Sequence, residues 1–159
     1  MQLSHYLTQQ SIIVPLQATS KQAAISELVD ELAKFTGITD KEKLLAAIDD
    51  REKSASTFLP MGVAVPHARV EGVKDISMVV GVCKNAIKDT YGDTPLSANV
   101  FCLFLSPTQE KEFGNHLKLL ARIAAIFSNP DFVHEIAEID SPSEVFTRIQ
   151  KRERQLENA

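Results

Sequence analysis

A run of six apolar residues decides the fold class of this chain: Val100-Phe101-Cys102-Leu103-Phe104-Leu105. A second dense apolar run, Ile76–Val82, precedes it, and turn residues flank both segments. Short continuous runs of this kind are typical of central strands buried on both faces, whereas a strand with one wet face alternates apolar and polar residues. The two runs therefore predict a sheet that is covered on both sides.

Helix signals come before these strands. Thr19 with Gln22, and Thr39 with Glu42, match the capping box, in which a side chain at the helix start accepts from a backbone N–H three residues on. Gly37 is expected to end the first helix, because glycine is favoured in the left-handed conformation that closes helices. Two helices are therefore predicted on the N-terminal side of the sheet.

Further helix signals follow the strands. The segment from Ser106 to Gln109 combines a serine cap, a proline and a glutamine, and it predicts a long helix that runs to about Phe127. Pro130 and Pro142, each after a capping residue, predict the first positions of two more helices. The tail beyond Arg152 is expected to fray.

The order of these elements predicts the architecture. A brief strand is expected at Ile12–Val14, and Asp89 to Thr94 is predicted as a turn between the two long strands. Helices, then strands, then helices, without an internal repeat, predict a single α/β domain with a mixed β-sheet and helices packed on both faces. The domain is expected to cover residues 1–159, with a core from about residue 3 to residue 150.

Composition excludes several classes of protein. The 159 residues are 44% hydrophobic and 24% charged, as in ordinary globular domains. The net charge of −4 and the lack of a basic stripe argue against a nucleic-acid partner. No stretch approaches the roughly 18 apolar residues of a membrane helix, and no leader segment is apparent, so a cytoplasmic protein without membrane insertion is expected. Cys83 and Cys102 form no metal-binding or disulfide pattern and are expected to be buried and inert.

The segment Gly62–Arg69 contains the first candidate functional residue. Val63 and Val65 favour a strand, and Pro66 interrupts its hydrogen-bond ladder, so His67 is expected just past a strand end. A neutral imidazole can act as a phosphoryl acceptor or a general base at physiological pH. A solvated loop histidine is the equally open alternative for His67 considered alone.

A second histidine lies in the predicted long helix. His116 stands beside an apolar stripe, and a hydrogen-bonded core histidine is the favoured interpretation when this residue is considered alone. When His67 is considered together with His116, a second interpretation arises, because a helix that packs back on the sheet can bring the two histidines into one cleft. The expected stripe consists of Phe113, Leu117, Leu120, Ala124 and Phe127.

Arg51 and Thr57 are weaker candidates. Arg51 falls in the last turn of the second helix, which is expected to end near Lys53, and the helix dipole alone explains a cation there. A guanidinium is also the usual stabiliser of transferred phosphate oxygens. Thr57 offers a hydroxyl donor, although a strand-forming role is the favoured interpretation on sequence alone. No sequence pattern around His5 or His134 indicates a functional role, and both are expected at the surface.

Taken together, an ordered set of segments resembles the enzyme IIA domain of the fructose/mannitol class of the bacterial phosphotransferase system, which includes the nitrogen-regulatory IIA proteins. The resemblance covers nearly the whole chain, and the ordered set is specific although each piece is weak. The segments are Arg51-Glu52-Lys53, Thr57-Phe58-Leu59, Val63–His67 and Asn115-His116-Leu117.

The resemblance implies a function. His67 matches the phosphorylated histidine, which receives phosphate from phospho-HPr and either passes it to a IIB domain or serves as a regulatory switch. His116 and Arg51 match the second active-site histidine and the active-site arginine, and Thr57 matches a hydroxyl position beside the site. Arg69 matches a frequently basic or polar position, where phosphate contact and a solvated loop arginine both remain open. No metal and no cofactor are implied.

Two departures from the family pattern leave an alternative open. Many members have glycine after the histidine, where this chain has Ala68, and a polar side chain where this chain has Met61. Alanine disfavours the positive φ that glycine allows, and methionine supplies no strong hydrogen bond. The alternative is a regulatory binding module of the same fold that is not phosphorylated. A histidine-based hydrolase is disfavoured because no nucleophilic serine motif or metal set is apparent.

Overall fold

The computed structural model describes residues 2–89 and 95–158, and in this part of the chain five strands form one mixed sheet. The strands are β1 (Ile12–Ile13), β2 (Val63–Ala64), β3 (His67–Arg69), β4 (Ser77–Lys88) and β5 (Ser97–Ser106). Strand β4 is antiparallel to β5. Strand β1 pairs with β4 in parallel, and β2 and β3 pair with β5 in parallel. The spatial order is β1-β4-β5-β2, with β3 following β2 along the same edge of β5.

Five α-helices cover this sheet in the described part of the chain: α1 (Lys21–Thr36), α2 (Lys41–Ser54), α3 (Phe113–Ile126), α4 (Pro130–Ala137) and α5 (Pro142–Glu157). Three short 3₁₀ turns accompany them, at Leu3–His5, Gln9–Ser11 and Glu110–Glu112. None of the described helices combines the length and apolar character that a membrane crossing requires.

The two faces of the sheet form separate cores. Val100, Cys102 and Phe104 of β5 pack in the layer under α3, α4 and α5. Phe101 and Leu103, which alternate with them, pack in the layer under α1 and α2. Successive strand residues point to opposite faces, so this apolar run is buried on both sides. The predicted mixed sheet with helices on both faces is confirmed.

The first two helices start one residue later than predicted. Ser20, not Thr19, caps α1 by accepting a hydrogen bond from the Ala23 backbone N–H at 3.2 Å. Asp40, not Thr39, caps α2 in the same way at 3.1 Å from the Lys43 nitrogen. Adjacent polar residues compete for each cap, and the capping-box pattern does not distinguish them. The predicted left-handed Gly37 is confirmed, with φ of 72°.

The predicted start of the long helix is wrong. Ser106 is the last residue of β5 rather than a helix cap, and α3 begins only at Phe113 after the 3₁₀ turn. Strand pairing holds Ser106 in extended backbone, because its carbonyl accepts from the Val70 N–H at 2.9 Å. The capping pattern was therefore overridden by pairing with a distant segment.

The C-terminal helices begin as predicted, but the tail does not fray after Arg152. Asn129 and Ser141 cap α4 and α5, which both start with proline. The last helix continues to Glu157 because Glu153, which is buried, accepts from the Leu3 N–H and pairs with Arg122 at 3.0 Å. The predicted turn from Asp89 to Thr94 lies, for residues 90–94, outside the described residues.

Candidate active site

His67 is the first residue of β3 rather than part of a displayed loop. It pairs in register with Phe104 of β5, and only 5% of its surface is exposed. Pro66 interrupts the edge between β2 and β3, as predicted, but its carbonyl still accepts from the Phe104 N–H at 3.1 Å. Because a proline keeps its acceptor, the chain resumes pairing directly after Pro66.

One hydrogen bond sets the protonation pattern of the His67 ring. Nδ1 lies 2.6 Å from the carbonyl oxygen of Val65. A carbonyl can only accept, so Nδ1 carries the proton and donates it. In the neutral ring, Nε2 is then the nitrogen with the free lone pair. The ring is therefore arranged as a nucleophile at Nε2.

Aromatic rings surround His67. Phe104 stacks on it with ring centroids 5.1 Å apart and an interplanar angle of 7°. The His116 ring approaches edge-on, at 5.2 Å and 62°. Burial lowers the pKa of His67 below its ordinary value, and the Arg51 charge acts in the same direction, while the hydrogen bond to Val65 opposes the shift. His67 is consequently neutral at physiological pH.

His116 projects from the first turn of α3 toward His67. The predicted apolar stripe is wrong at its start, because Phe113 and Leu117 are 42% and 50% exposed. The buried face instead contains His116, Leu119, Ile123 and Ile126. Burial lowers the pKa of His116 to about 4, with further contributions from His67, Arg69 and Arg51. Both rings of this histidine pair, defined as His67 and His116, are therefore neutral at pH 7.

Ser106 is a site residue that the sequence analysis missed. Its hydroxyl oxygen lies 2.5 Å from Nδ1 of His116, and its side chain is fully buried. The sequence does contain a pattern that could have identified Ser106. Side chains of a strand alternate between its two faces, and Ser106 continues the series Val100, Cys102, Phe104 on one face. Ser106 was instead interpreted as a helix cap, so this strand pattern was not used.

Arg51 lies in the last turn of α2, as predicted, and is half-buried. Its guanidinium donates to the Ala55 carbonyl at 2.9 Å, which closes the C-terminal end of the helix. Its charge also contributes to lowering the pKa of both histidines. The structure thus brings a cation within electrostatic reach of the histidine pair.

Arg69 points to the segment between β5 and α3. It donates to the carbonyl oxygens of Pro107, Thr108 and Gln109 at 3.4, 2.7 and 3.3 Å. Its guanidinium carbon also lies 4.8 Å from the centre of the Phe113 ring, in cation–π geometry. These contacts hold the segment that leads into the His116 helix.

Thr57 contacts the site through its backbone. Its hydroxyl and its N–H both donate to the Glu52 carboxylate, the latter at 3.4 Å. Its carbonyl accepts from the Val65 N–H at 3.1 Å, next to the carbonyl that holds His67. The structure therefore links Thr57 to His67 through Val65.

A buried group of charges, the ion cluster, lies behind Thr57 and was not predicted. It consists of Lys21, Glu52 and Asp89, with Lys21 Nζ 2.9 Å from Glu52 and 3.0 Å from Asp89. Ser56 donates a hydrogen bond to Asp89. Burial lowers the pKa of Lys21, but hydrogen bonds to both carboxylates outweigh this effect and raise it overall. The lysine is therefore charged.

The arrangement suits the transfer of an anionic group. A neutral nucleophilic nitrogen lies beside aromatic rings, the positive charge of Arg51 acts on the pKa of both histidines, and that of Arg69 acts on the pKa of His116. Over residues 2–89 and 95–158, His, Cys, Asp and Glu side chains form no group that could hold a metal ion. The two cysteines are buried, and burial raises the pKa of Cys83 to about 11.

Comparison with known proteins gives one family match over most of the chain. The family model described as "Phosphoenolpyruvate-dependent sugar phosphotransferase system, EIIA 2" matches residues 5–152. A curated relative, the fructose-specific EIIABC component of the PTS system of Bacillus subtilis, is 23% identical over 155 residues, which are 97% of this chain and 24% of that protein. The chain thus spans about a quarter of the length of this relative.

Solved structures share the fold. The nitrogen regulatory protein IIA-Ntr from Neisseria meningitidis superposes with a TM-score of 0.81 at 23% identity, covering 92% of this chain and 98% of that one. The IIA chain in the complex of enzyme IIAMTL and phosphorylated enzyme IIBMTL from Escherichia coli gives 0.74 at 21% identity, covering 91% and 97%. At these identities the likeness establishes the architecture.

Proposed function

This chain belongs to the EIIA 2 family of the phosphoenolpyruvate-dependent sugar phosphotransferase system, and from that premise we propose that it is a phosphohistidine carrier with His67 as the phosphorylated residue. Phospho-HPr is the donor. The phosphoryl group passes on to a IIB domain, or its presence on His67 acts as a regulatory switch. Arg51 and His116 assist the transfer.

One observation carries this proposal: the hydrogen bond from His67 Nδ1 to the Val65 carbonyl. It leaves Nε2 as the nucleophile and blocks attack through Nδ1. It also stabilises the product, because a ring that carries a phosphoryl group on Nε2 and a proton on Nδ1 becomes positively charged, and the carbonyl faces that proton. The same contact thus prepares the acceptor and supports the phosphorylated state.

The transfer is a displacement at phosphorus. The Nε2 lone pair of His67 forms the new N–P bond while the N–P bond of phospho-HPr breaks, and the donor imidazole keeps that electron pair. Positioning and charge stabilisation supply the rate in phosphoryl transfer of this type. Arg51 offsets the negative charge on the phosphoryl oxygens, and His116 assists from beside His67, with the two ring centroids 5.2 Å apart.

Transfer to a IIB domain and regulatory switching both begin with the phosphorylation of His67. One relative is a fructose-specific EIIABC component of a PTS system, and one protein of the same fold is a nitrogen regulatory protein. The Escherichia coli complex pairs a IIA protein with a phosphorylated IIB protein, which supports a IIB domain as one recipient. Arg69 and Thr57 contribute indirectly in either role, by holding the backbone around the two histidines.

The geometry favours the carrier over a binding module that is not phosphorylated. Ala68 lies within β3, and no residue other than glycine has a positive φ in the described part of the chain. The conformational freedom of glycine is therefore not needed at this position. The substitution leaves the His67 backbone pairing intact.

The experiment is to incubate the protein with phosphoenolpyruvate, enzyme I and HPr and to measure acid-labile phosphate. Wild type is expected to take up label, and His67→Ala none. The matched control is His134→Ala, which removes an exposed histidine on α4 and should label like wild type. Absence of label on wild type, or full labelling of His67→Ala, would refute the proposal.

A further inference from the structure

We propose that Ser106 is a positioning residue that donates its hydroxyl proton to Nδ1 of His116 and so holds the His116 proton on Nε2, as a hydrogen-bond donor to the phosphoryl group. This inference rests on the proposed function and assigns a role within the same site. Ser106 acts through His116 and does not itself contact the phosphoryl group.

The position of the hydroxyl is set by the sheet. Ser106 ends β5 opposite Arg69 of β3, and its carbonyl accepts from the Val70 N–H at 2.9 Å. Its side chain is 0% exposed and therefore has no contact with solvent. The hydroxyl oxygen lies 2.5 Å from Nδ1 of His116, so its position relative to the ring is fixed by the strand backbone.

The direction of the hydrogen bond follows from the needs of a buried hydroxyl. Among the described residues, His116 Nδ1 is the one hydrogen-bond partner of the Ser106 side chain. If the hydroxyl accepted from the ring, its own proton would be buried without an acceptor, at a free-energy cost of about 1–3 kcal/mol. If the hydroxyl donates to the ring, only lone pairs of its oxygen lack a partner, and this costs less free energy than a buried proton without an acceptor. The hydroxyl therefore donates, and Nδ1 of His116 is unprotonated.

The proton of the neutral His116 ring is then on Nε2. Burial and neighbouring charges keep this ring neutral, since its pKa is lowered to about 4. Phosphoryl oxygens can only accept hydrogen bonds, so a bare Nε2 would repel them whereas Nε2–H can donate to them. The two rings of the histidine pair thus hold opposite tautomers: His67 is bare at Nε2 as the nucleophile, and His116 is protonated there as the donor.

The test begins with the unphosphorylated protein. Nitrogen-15 NMR of histidine-labelled wild type at pH 7 should show His116 with a bare Nδ1 and a protonated Nε2. Ser106→Ala should give a mixture of both tautomers, while Ser106→Thr, which retains the hydroxyl, should keep the wild-type pattern. A wild-type His116 protonated at Nδ1 would overturn the proposal, even if the alanine variant does not fold.

The second measurement is the rate of phosphate uptake from phospho-HPr. Ser106→Ala should slow it about tenfold, the value of one hydrogen bond, and Ser106→Thr should restore most of the rate. Wild-type tautomer and rate in Ser106→Ala would refute the role of Ser106. Absence of label on wild type would instead refute the carrier function, and the tautomer pattern would still be measurable on its own.

Discussion

The two faces of the sheet carry two buried polar groups that differ in charge. The histidine pair lies with Phe104 on the face under α3, and both of its rings are neutral. The ion cluster lies on the face under α1 and α2, where Lys21 also approaches the Phe58 ring at 5.3 Å. The ion cluster consists of paired charges, whereas the histidine pair is uncharged.

This difference indicates a division of roles. A buried charge is tolerated only with partners, and the ion cluster has them within 3.0 Å, so it has a fixed geometry. Burial of a neutral histidine costs less desolvation free energy than burial of a charged side chain, and a neutral histidine can still accept a charged group in a later step. The Thr57 and Val65 backbones connect the two, because Glu52 holds Thr57 and Thr57 holds Val65. The ion cluster thus supports the segment that orients His67.

The largest expected effect comes from breaking the ion cluster. Lys21→Met should lower the free energy of unfolding by about 3–5 kcal/mol, because it removes a buried cation that lies 2.9 Å from Glu52 and 3.0 Å from Asp89. Urea denaturation measures this loss. The matched control is Lys34→Met, which removes an exposed ion pair and should leave the stability nearly unchanged. Equal effects for the two variants would contradict the structural role of the cluster.

Removing the cation near the histidine pair should affect rate more than stability. Arg51→Gln should slow phosphate uptake by about 10²–10³-fold, the usual value of a lost charge-stabilising donor. Its unfolding free energy should fall by only about 1 kcal/mol, since one hydrogen bond to Ala55 is lost. Initial rates with phospho-HPr measure the first effect. A rate within threefold of wild type would exclude Arg51 from the transfer.

Acid should destabilise the protein through the histidine pair. The pKa of His116 is about 4 in the folded protein and ordinarily 6.5, so between these pH values the unfolded chain binds the extra proton. The free energy of unfolding therefore falls as pH drops below 6.5, by at most about 2 kcal/mol at pH 5 from this residue. The lowered pKa of His67 acts in the same direction.

Urea titrations of wild type and His116→Gln at pH 7 and pH 5 measure how much His116 contributes to the loss of unfolding free energy in acid. The glutamine variant should lose less stability on acidification than wild type does. The same loss in both proteins would show that His116 is not held neutral by the fold.

The smallest effect is expected at Arg69. Arg69→Gln removes exposed hydrogen bonds to the segment before α3, but leaves the Ser106–His116 contact in place. Phosphate uptake should slow by less than about fivefold, in keeping with the small net value of exposed polar contacts. A loss as large as that of Arg51→Gln would assign Arg69 direct contact with phosphate.

The sequence predicted the features that depend on local pattern. The two-sided burial of Val100–Leu105, the left-handed Gly37 and the proline starts of α4 and α5 are all confirmed. The family was also predicted from motif order, although no single motif was decisive. Periodicity, capping and motif spacing are properties of neighbouring residues, which explains these successes.

The failures involve contacts between distant segments. The local pattern around Ser106 is that of a helix cap, but pairing with Val70 keeps this residue in β5 and its hydroxyl contacts His116. Lys21 in the first turn of α1 has the local pattern of a surface lysine, and its partners, Glu52 in α2 and Asp89 directly after β4, are distant in sequence. His67 was expected just past a strand end because its pairing partner, Phe104, is far along the chain.

The most direct test of the account is the identity of the phosphorylated nitrogen. Phosphorus-31 and nitrogen-15 NMR of histidine-labelled protein after reaction with phospho-HPr locates the N–P bond. The hydrogen bond from His67 Nδ1 to the Val65 carbonyl predicts phosphate on Nε2 of His67 with Nδ1 still protonated. Phosphate on Nδ1 of His67, or on His116, would contradict the account.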